Sequence, residues 1–264
     1  MHKANVPSLC QNSVKQQPLE KIIWTSQLVE KFWNGFAQTR LVELSFSRLA
    51  GKSLITAIDH LLPMSSKILD FGAGDGDLAK LLCARNLKVA AYEPSAERAQ
   101  LLEAKMAGID FLGIVNADSN AAFDVVLMIE VIEHILDEDL DDCLKHICSL
   151  MRPGGMLIVT TPNNEDLDLN MVYCPISNTL FHRWQHVRSF TQQSLVHLLQ
   201  KFGLREIVTH QIEFNDAYFL KYDRIWGDLE AYSNPPAYIR DIRNNMAAIV
   251  GAGSNLLYVG RLAE

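Results

Sequence analysis

Residues able to do chemistry gather in two parts of the chain. One is the run Leu69-Asp70-Phe71-Gly72-Ala73-Gly74-Asp75-Gly76. Its glycines let the backbone turn sharply and approach a ligand closely, and free amides at the start of a following helix favour an anionic or polar group. Glu93 stands 23 residues beyond Asp70, where a carboxylate ending the next strand can accept both ribose hydroxyls of an adenosine. The structural alternative is a tight turn and a solvated strand end.

The other part is Met128-Ile129-Glu130-Val131-Ile132-Glu133-His134. If the chain turns helical here, Glu130, Glu133 and His134 fall at i, i+3 and i+4 and share one face. A later run, Phe181-His182-Arg183-Trp184-Gln185-His186-Val187-Arg188-Ser189-Phe190, carries further imidazoles. Two carboxylates and two imidazoles form a mixed oxygen and nitrogen set that suits Mg²⁺ or Mn²⁺ with open positions. The alternative is His134 or His186 as a general base without metal. His182 reads as a packing or surface residue. The acidic run Asp137-Glu138-Asp139 reads as a solvated helix start, where negative charge suits the helix dipole.

Positioning these groups takes alternating strands and helices. Apolar residues 67–72 form a short buried strand, followed by a helix from Asp77 to Arg85. A second strand covers 88–93, and Ser95 caps a helix running to Ala107. A third strand is expected over Ile109–Val115 and a fourth over Phe123–Ile129. A helix from Glu138 to Met151 ends at Pro153-Gly154-Gly155, and 156–162 is a fifth strand. Continuous apolar strands between amphipathic helices signal a doubly wound α/β fold with a parallel sheet covered on both faces.

Residues 1–21 read as a loose lead-in to a single domain spanning 22–264. Helical spacing over 22–62 indicates helices packed on the core of 65–212. Residues 163–182 are too irregular for a simple connector and are a candidate lid or substrate segment. Helix and strand resume at Thr191–Phe202 and Leu204–Ile212. The aromatic-rich stretch 213–250 is an insertion, with a helix near 237–249, and reads as either acceptor pocket or core. A last strand covers 255–262.

A dinucleotide loop of the form G-x-G-x-x-G would need glycine at position 77, where Asp77 would repel a pyrophosphate. The loop instead resembles motif I of class I S-adenosylmethionine-dependent methyltransferases. The resemblance extends through Glu93, Phe123-Asp124-Val125-Val126 and Arg152-Pro153-Gly154-Gly155-Met156. It implies a Rossmann-like sheet of seven strands, the last antiparallel. It also implies S-adenosyl-L-methionine contacts from Asp70, Gly72, Gly74, Gly76, Glu93 and Ile129, with Asn116 and Asp118 near the base. Arg48 either reaches the methionine carboxylate or is a surface arginine. The Glu-x-x-Glu-His run is similar to that of ubiquinone-pathway O-methyltransferases and of small-RNA 3′-terminal 2′-O-methyltransferases. By that comparison Glu130, Glu133, His134 and His186 are the metal-binding positions, and His134 and His186 the catalytic candidates.

Composition narrows the partners. With 24 Lys+Arg against 31 Asp+Glu the net charge is −7, which argues against a large nucleic-acid footprint and favours a small-molecule acceptor. Five cysteines without a C-x-x-C pair read as reduced thiols in a cytoplasmic protein. No run approaches the ~20 apolar residues of a membrane span. A non-catalytic cofactor-binding module, an RNA-terminal methyltransferase and, least well fitted, an NAD-dependent dehydrogenase are the competing readings.

Overall fold

The computed structural model describes residues 19–116 and 122–263. Its strands are β1 (Glu20–Lys21), β2 (Lys67–Phe71), β3 (Lys88–Tyr92), β4 (Phe123–Ile129), β5 (Met151–Pro162), β6 (Met171–Cys174), β7 (Thr179–His182), β8 (Leu204–Ile212), β9 (Ile249–Val250) and β10 (Asn255–Leu262). The helices are α1 (Ser26–Ala37), α2 (Phe46–Ile58), α3 (Asp77–Cys83), α4 (Ala96–Lys105), α5 (Asp137–Leu150), α6 (Gln192–Gln200), α7 (Asp216–Phe219), α8 (Leu229–Ser233) and α9 (Ala237–Arg243). Seven strands form the main sheet in the order β3-β2-β4-β5-β10-β8-β9. Strands β2 to β5 run parallel, and β10 lies antiparallel to both β5 and β8.

Alternation along the strands feeds two cores. Ile68, Val125, Leu127 and Ile129 pack on one face with Leu54, Ile55 and Leu82 of α2 and α3. Leu69, Val126 and Met128 pack on the other with Leu144, Ile147 and Leu195 of α5 and α6. Because both faces are buried, the strands read as continuous apolar runs. Local signals set the helix starts. Ser95 Oγ accepts the Arg98 amide at 3.3 Å, and Thr191 and Ser194 form a reciprocal capping box.

Three expectations are corrected. Ile109–Val115 is not a strand: Gly113, at φ +108°, interrupts the extended run, leaving a single bridge between Ile114 and Ala91. The seventh strand is instead the two-residue β9. The expected helix over 237–249 stops at Arg243, with Asn245 in the left-handed region. Residues 163–182 are not simply irregular; they hold the antiparallel hairpin β6–β7, which β1 extends into a small second sheet. Among the described residues no helix is long and apolar enough to cross a membrane.

Candidate active site

A cavity of about 410 Å³ opens beyond the carboxyl ends of β2, β4 and β5. Its floor is Gly72, Ala73, Gly74 and Ile129. Its roof is Trp33 and Phe36 of α1, with Phe46 opposite. Glu130, His134, Glu165, Trp184 and His186 close the far side.

The glycine loop is built for close approach. Gly74 has φ +55°, and a Cβ there would stand 2.5 Å from Arg98 Nη2. Its amide donates to Glu93 Oε2 at 2.9 Å, and the Ser95 amide donates to Oε1 at 3.1 Å. Arg98 Nη1 lies 3.7 Å from the same carboxylate. Glu93 therefore sits behind the loop with Arg98 against it, and Arg98 rather than Glu93 lines the cavity.

Asp70 does not line the cavity either. Burial pushes its carboxyl up to about 7, against a lowering bond from the Ala79 backbone of α3, so its visible contact is to the helix that follows the loop. Arg48 is held by Asp77 at 2.7 Å and Glu43 at 2.6 Å, with Asp75 at 3.9 Å, and is also outside the lining. Asn116 is exposed and away from the cavity. Asp118 lies outside the described residues.

The Glu130–His134 run is a turn, not a helix. Glu130 adopts φ +52°, and the His134 amide closes on the Val131 carbonyl at 3.0 Å. The shared helical face is therefore replaced by a different convergence. Glu133, His134 and His186 bring donor atoms within 4.8 Å of one another, and so do Glu165, His182 and His186. Glu130 belongs to neither group; its Oε1 accepts from Asn255 at 3.2 Å.

Burial dominates the electrostatics. It raises the Glu130 carboxyl to about 7 despite bonds from Thr160 and Asn255. Burial, reinforced by the charge of Glu130, holds Glu133 well above the ordinary range. Burial, reinforced by His186, holds His134 well below its ordinary value, so its ring is neutral. Both Glu133 oxygens, His134 Nδ1 and Thr161 Oγ1 are buried without a hydrogen-bond partner among the described residues, though Glu130 and Thr161 stand beside Glu133. Such atoms leave room for a water, a shared proton or a bound group.

Glu165, Gln185 and Trp33 were not singled out by the sequence. Glu165 follows the end of β5, and the rule that ligands sit beyond parallel strand ends would have flagged it. His186 Nδ1 lies 2.5 Å from its Oε2. Burial would raise Glu165, but His182 and His186 together bring it down to about 2. Gln185, fully buried, donates to the His134 carbonyl at 3.0 Å and accepts from Trp33 Nε1 at 2.9 Å. It has no signature readable from one sequence.

A family described as a methyltransferase domain matches residues 40–210. Malonyl-[acyl-carrier protein] O-methyltransferase of Methylococcus capsulatus is 28% identical over 174 residues, 62% of this chain and 60% of that protein. Ubiquinone biosynthesis O-methyltransferase of Rhizobium leguminosarum bv. trifolii is 31% identical over 106 residues, 37% of this chain and 40% of that protein. The matches thus span 60% and 40% of the length of these relatives. Among solved structures, 1,6-didemethyltoxoflavin-N1-methyltransferase of Burkholderia thailandensis, with bound 1,6-didemethyltoxoflavin and S-adenosylhomocysteine, superposes with a TM-score of 0.58. It is 17% identical, with 94% of each chain covered.

Proposed function

This chain belongs to the methyltransferase-domain family, and from that premise we propose that it transfers a methyl group from S-adenosyl-L-methionine to a hydroxyl oxygen of a small-molecule acceptor. One observation carries the reading: the left-handed glycine loop, backed by Glu93, and the histidines His134 and His186 meet on one cavity. The cofactor fits the chain's chemistry. Gly72 and Gly74 hold left-handed backbone where a Cβ would collide with Val131 and Arg98, so only glycine gives the loop this shape, and Glu93 offers a carboxylate for ribose hydroxyls once the Arg98 tip swings aside.

When bound, the sulfonium supplies an electrophilic methyl carbon. The chain's task is to align the acceptor, exclude water and accept a proton. Trp33, Phe36, Phe46 and Trp184 supply apolar walls that hold an organic acceptor and keep water out. A hydroxyl nucleophile needs a base; His134, held neutral by burial, and His186 both line the cavity. A small acceptor is favoured over RNA because Arg98 is the one Lys or Arg among the described lining residues and the chain is acidic overall.

Metal assistance is a second reading, favoured by the orphaned atoms of Glu133 and His134. One carboxylate and two imidazoles make a nitrogen-rich set better suited to Mn²⁺ or Zn²⁺ than to Mg²⁺. Glu133, His134 and His186 would hold the ion, which would polarise the acceptor hydroxyl.

The test is transfer of labelled methyl from S-adenosylmethionine to a panel of phenols, catechols and aliphatic alcohols, with and without EDTA. Label on oxygen supports the reading, and loss with EDTA favours the metal-assisted form. Binding of the cofactor without transfer to any acceptor would contradict it.

A further inference from the structure

We infer that the rim of the main sheet opposite the cavity docks on an anionic lipid surface. The cavity lies beyond the carboxyl ends of β2, β4 and β5. Their amino ends form the other rim, where the register also brings the end of β10 and the start of β8. Lys88 of β3, Lys67 of β2, Arg152 of β5, Arg261 of β10 and Arg205 of β8 stand along it, all exposed. Neighbouring strands are spaced by about 4.8 Å, so the row from β3 to β8 follows the edge of the sheet for about 24 Å.

The row costs the fold stability. Lys67 and Lys88 are register partners, and so are Arg205 and Arg261. Register partners lie on one face of a sheet with Cβ atoms about 5 Å apart, and like charges so placed are destabilising. Neither pair is compensated. Among the described residues Lys67, Lys88, Arg205 and Arg261 form no ion pair, and the Arg261 guanidinium donates to the Gly154 carbonyl at 2.9 Å. The nearby acids are engaged elsewhere. Asp124 is held by Arg152 at 2.5 Å and by the Lys67 amide at 2.7 Å, and Glu206 accepts from Thr209 at 2.6 Å. An external anion along the rim would relieve a repulsion that folding leaves in place.

Two observations favour a lipid surface over other polyanions. Exposed apolar side chains stand among the cations. Met64, 48% exposed, precedes Lys67 by three residues. Leu112, 51% exposed, sits beside Lys88, its amide on the Val89 carbonyl at 2.8 Å. Such side chains enter the headgroup boundary while Lys and Arg meet the lipid phosphates; a nucleic-acid backbone binds through its charge and leaves them in water. The rim also faces away from the cavity. A chain docked there keeps its cavity open, whereas a macromolecule carrying the acceptor would have to meet the cavity itself. With a net charge of −7, the rest of the surface is repelled by anionic lipid, which sets the orientation.

The test is co-sedimentation of the full chain with vesicles of equimolar phosphatidylcholine and phosphatidylglycerol, against vesicles of phosphatidylcholine alone. The wild type is expected to bind the mixed vesicles, to release them at high salt and to ignore the neutral ones. The double variants Lys67→Glu/Lys88→Glu and Arg205→Glu/Arg261→Glu are each expected to bind about ten-fold more weakly or worse. The single variant Lys67→Glu, which sets an acid opposite Lys88, should weaken binding while its melting temperature holds or rises. No binding by the wild type, equal binding to neutral vesicles, or variants that bind as well as the wild type would overturn the inference. So would tighter binding to a labelled single-stranded oligonucleotide than to the mixed vesicles. The wild-type result decides even if a double variant fails to fold. Affinity for S-adenosylhomocysteine, measured on the same samples, reports on the methyltransferase reading separately.

Discussion

Trp33 and Gln185, 152 residues apart, are joined by a 2.9 Å hydrogen bond from the indole Nε1 to the side-chain oxygen. The bond ties α1 to the segment carrying His186. Asn34 and the C-cap residue Gln38 tie the same helix to Glu97 of α4 at 3.0 and 3.3 Å. The helix thus spans both halves of the cavity it roofs. Trp33→Phe keeps the ring packing against His134 but deletes the donor, a loss of about 1 kcal/mol. Stopped-flow release of S-adenosylhomocysteine is expected to quicken by about five-fold, with little change in melting temperature.

Gly74→Ala tests the loop. Its left-handed φ and the 2.5 Å approach to Arg98 mean that a methyl strains the backbone and displaces the guanidinium. A weakening of S-adenosylhomocysteine binding by about ten-fold or more is expected from about 1–2 kcal/mol of strain. Calorimetry checks this, with circular dichroism to verify folding.

The elements that were legible in the sequence are those with a periodic or punctuated signal. Strands over 123–129, 204–212 and 255–262 match the expected bounds, because buried strands need unbroken apolar runs. Gly113 hid the failure of the third strand, since a single glycine inside an apolar run carries little weight. The glycine loop and Glu93 were readable because both follow strands in sequence. Gln185 and Trp33 were not, because their meaning is tertiary: each acts by contacting a residue 51 to 152 positions away. The shared face that Glu130, Glu133 and His134 would have on a helix does not form, because i, i+3, i+4 spacing does not reveal that Glu130 leaves β4 with positive φ.

The aromatic insertion is anchored by a buried charge. Arg85, its side chain fully buried, pairs with the buried Asp223 and with Asp59 at 2.6 Å. Trp226 covers the guanidinium with its ring centroid 4.1 Å away. Asp223→Ala would leave Arg85 charged and half-paired. A destabilisation of about 3–5 kcal/mol is expected by urea unfolding. By contrast, the surface pair Lys145–Asp142 is exposed on both sides, and its removal should leave the urea midpoint essentially unchanged.

Acid should unfold the protein partly through His210. Burial, with a smaller contribution from His60, holds its folded value down to about 4, against about 6.5 for an unfolded histidine. A depressed histidine leaves stability intact above the unfolded value and removes it as pH falls from about 6.5 through about 4, by up to about 3 kcal/mol. Unfolding free energy followed over that window should decline less steeply in His210→Gln than in the wild type. Parallel slopes would assign the acid sensitivity to other groups.

The most direct measurement is calorimetric titration with S-adenosylhomocysteine of the wild type and of Glu93→Ala. The wild type is expected to bind with a single-site isotherm, and the variant to bind at least about ten-fold more weakly, a loss of about 1.4 kcal/mol. No heat from the wild type, or equal affinity in both proteins, would contradict the account.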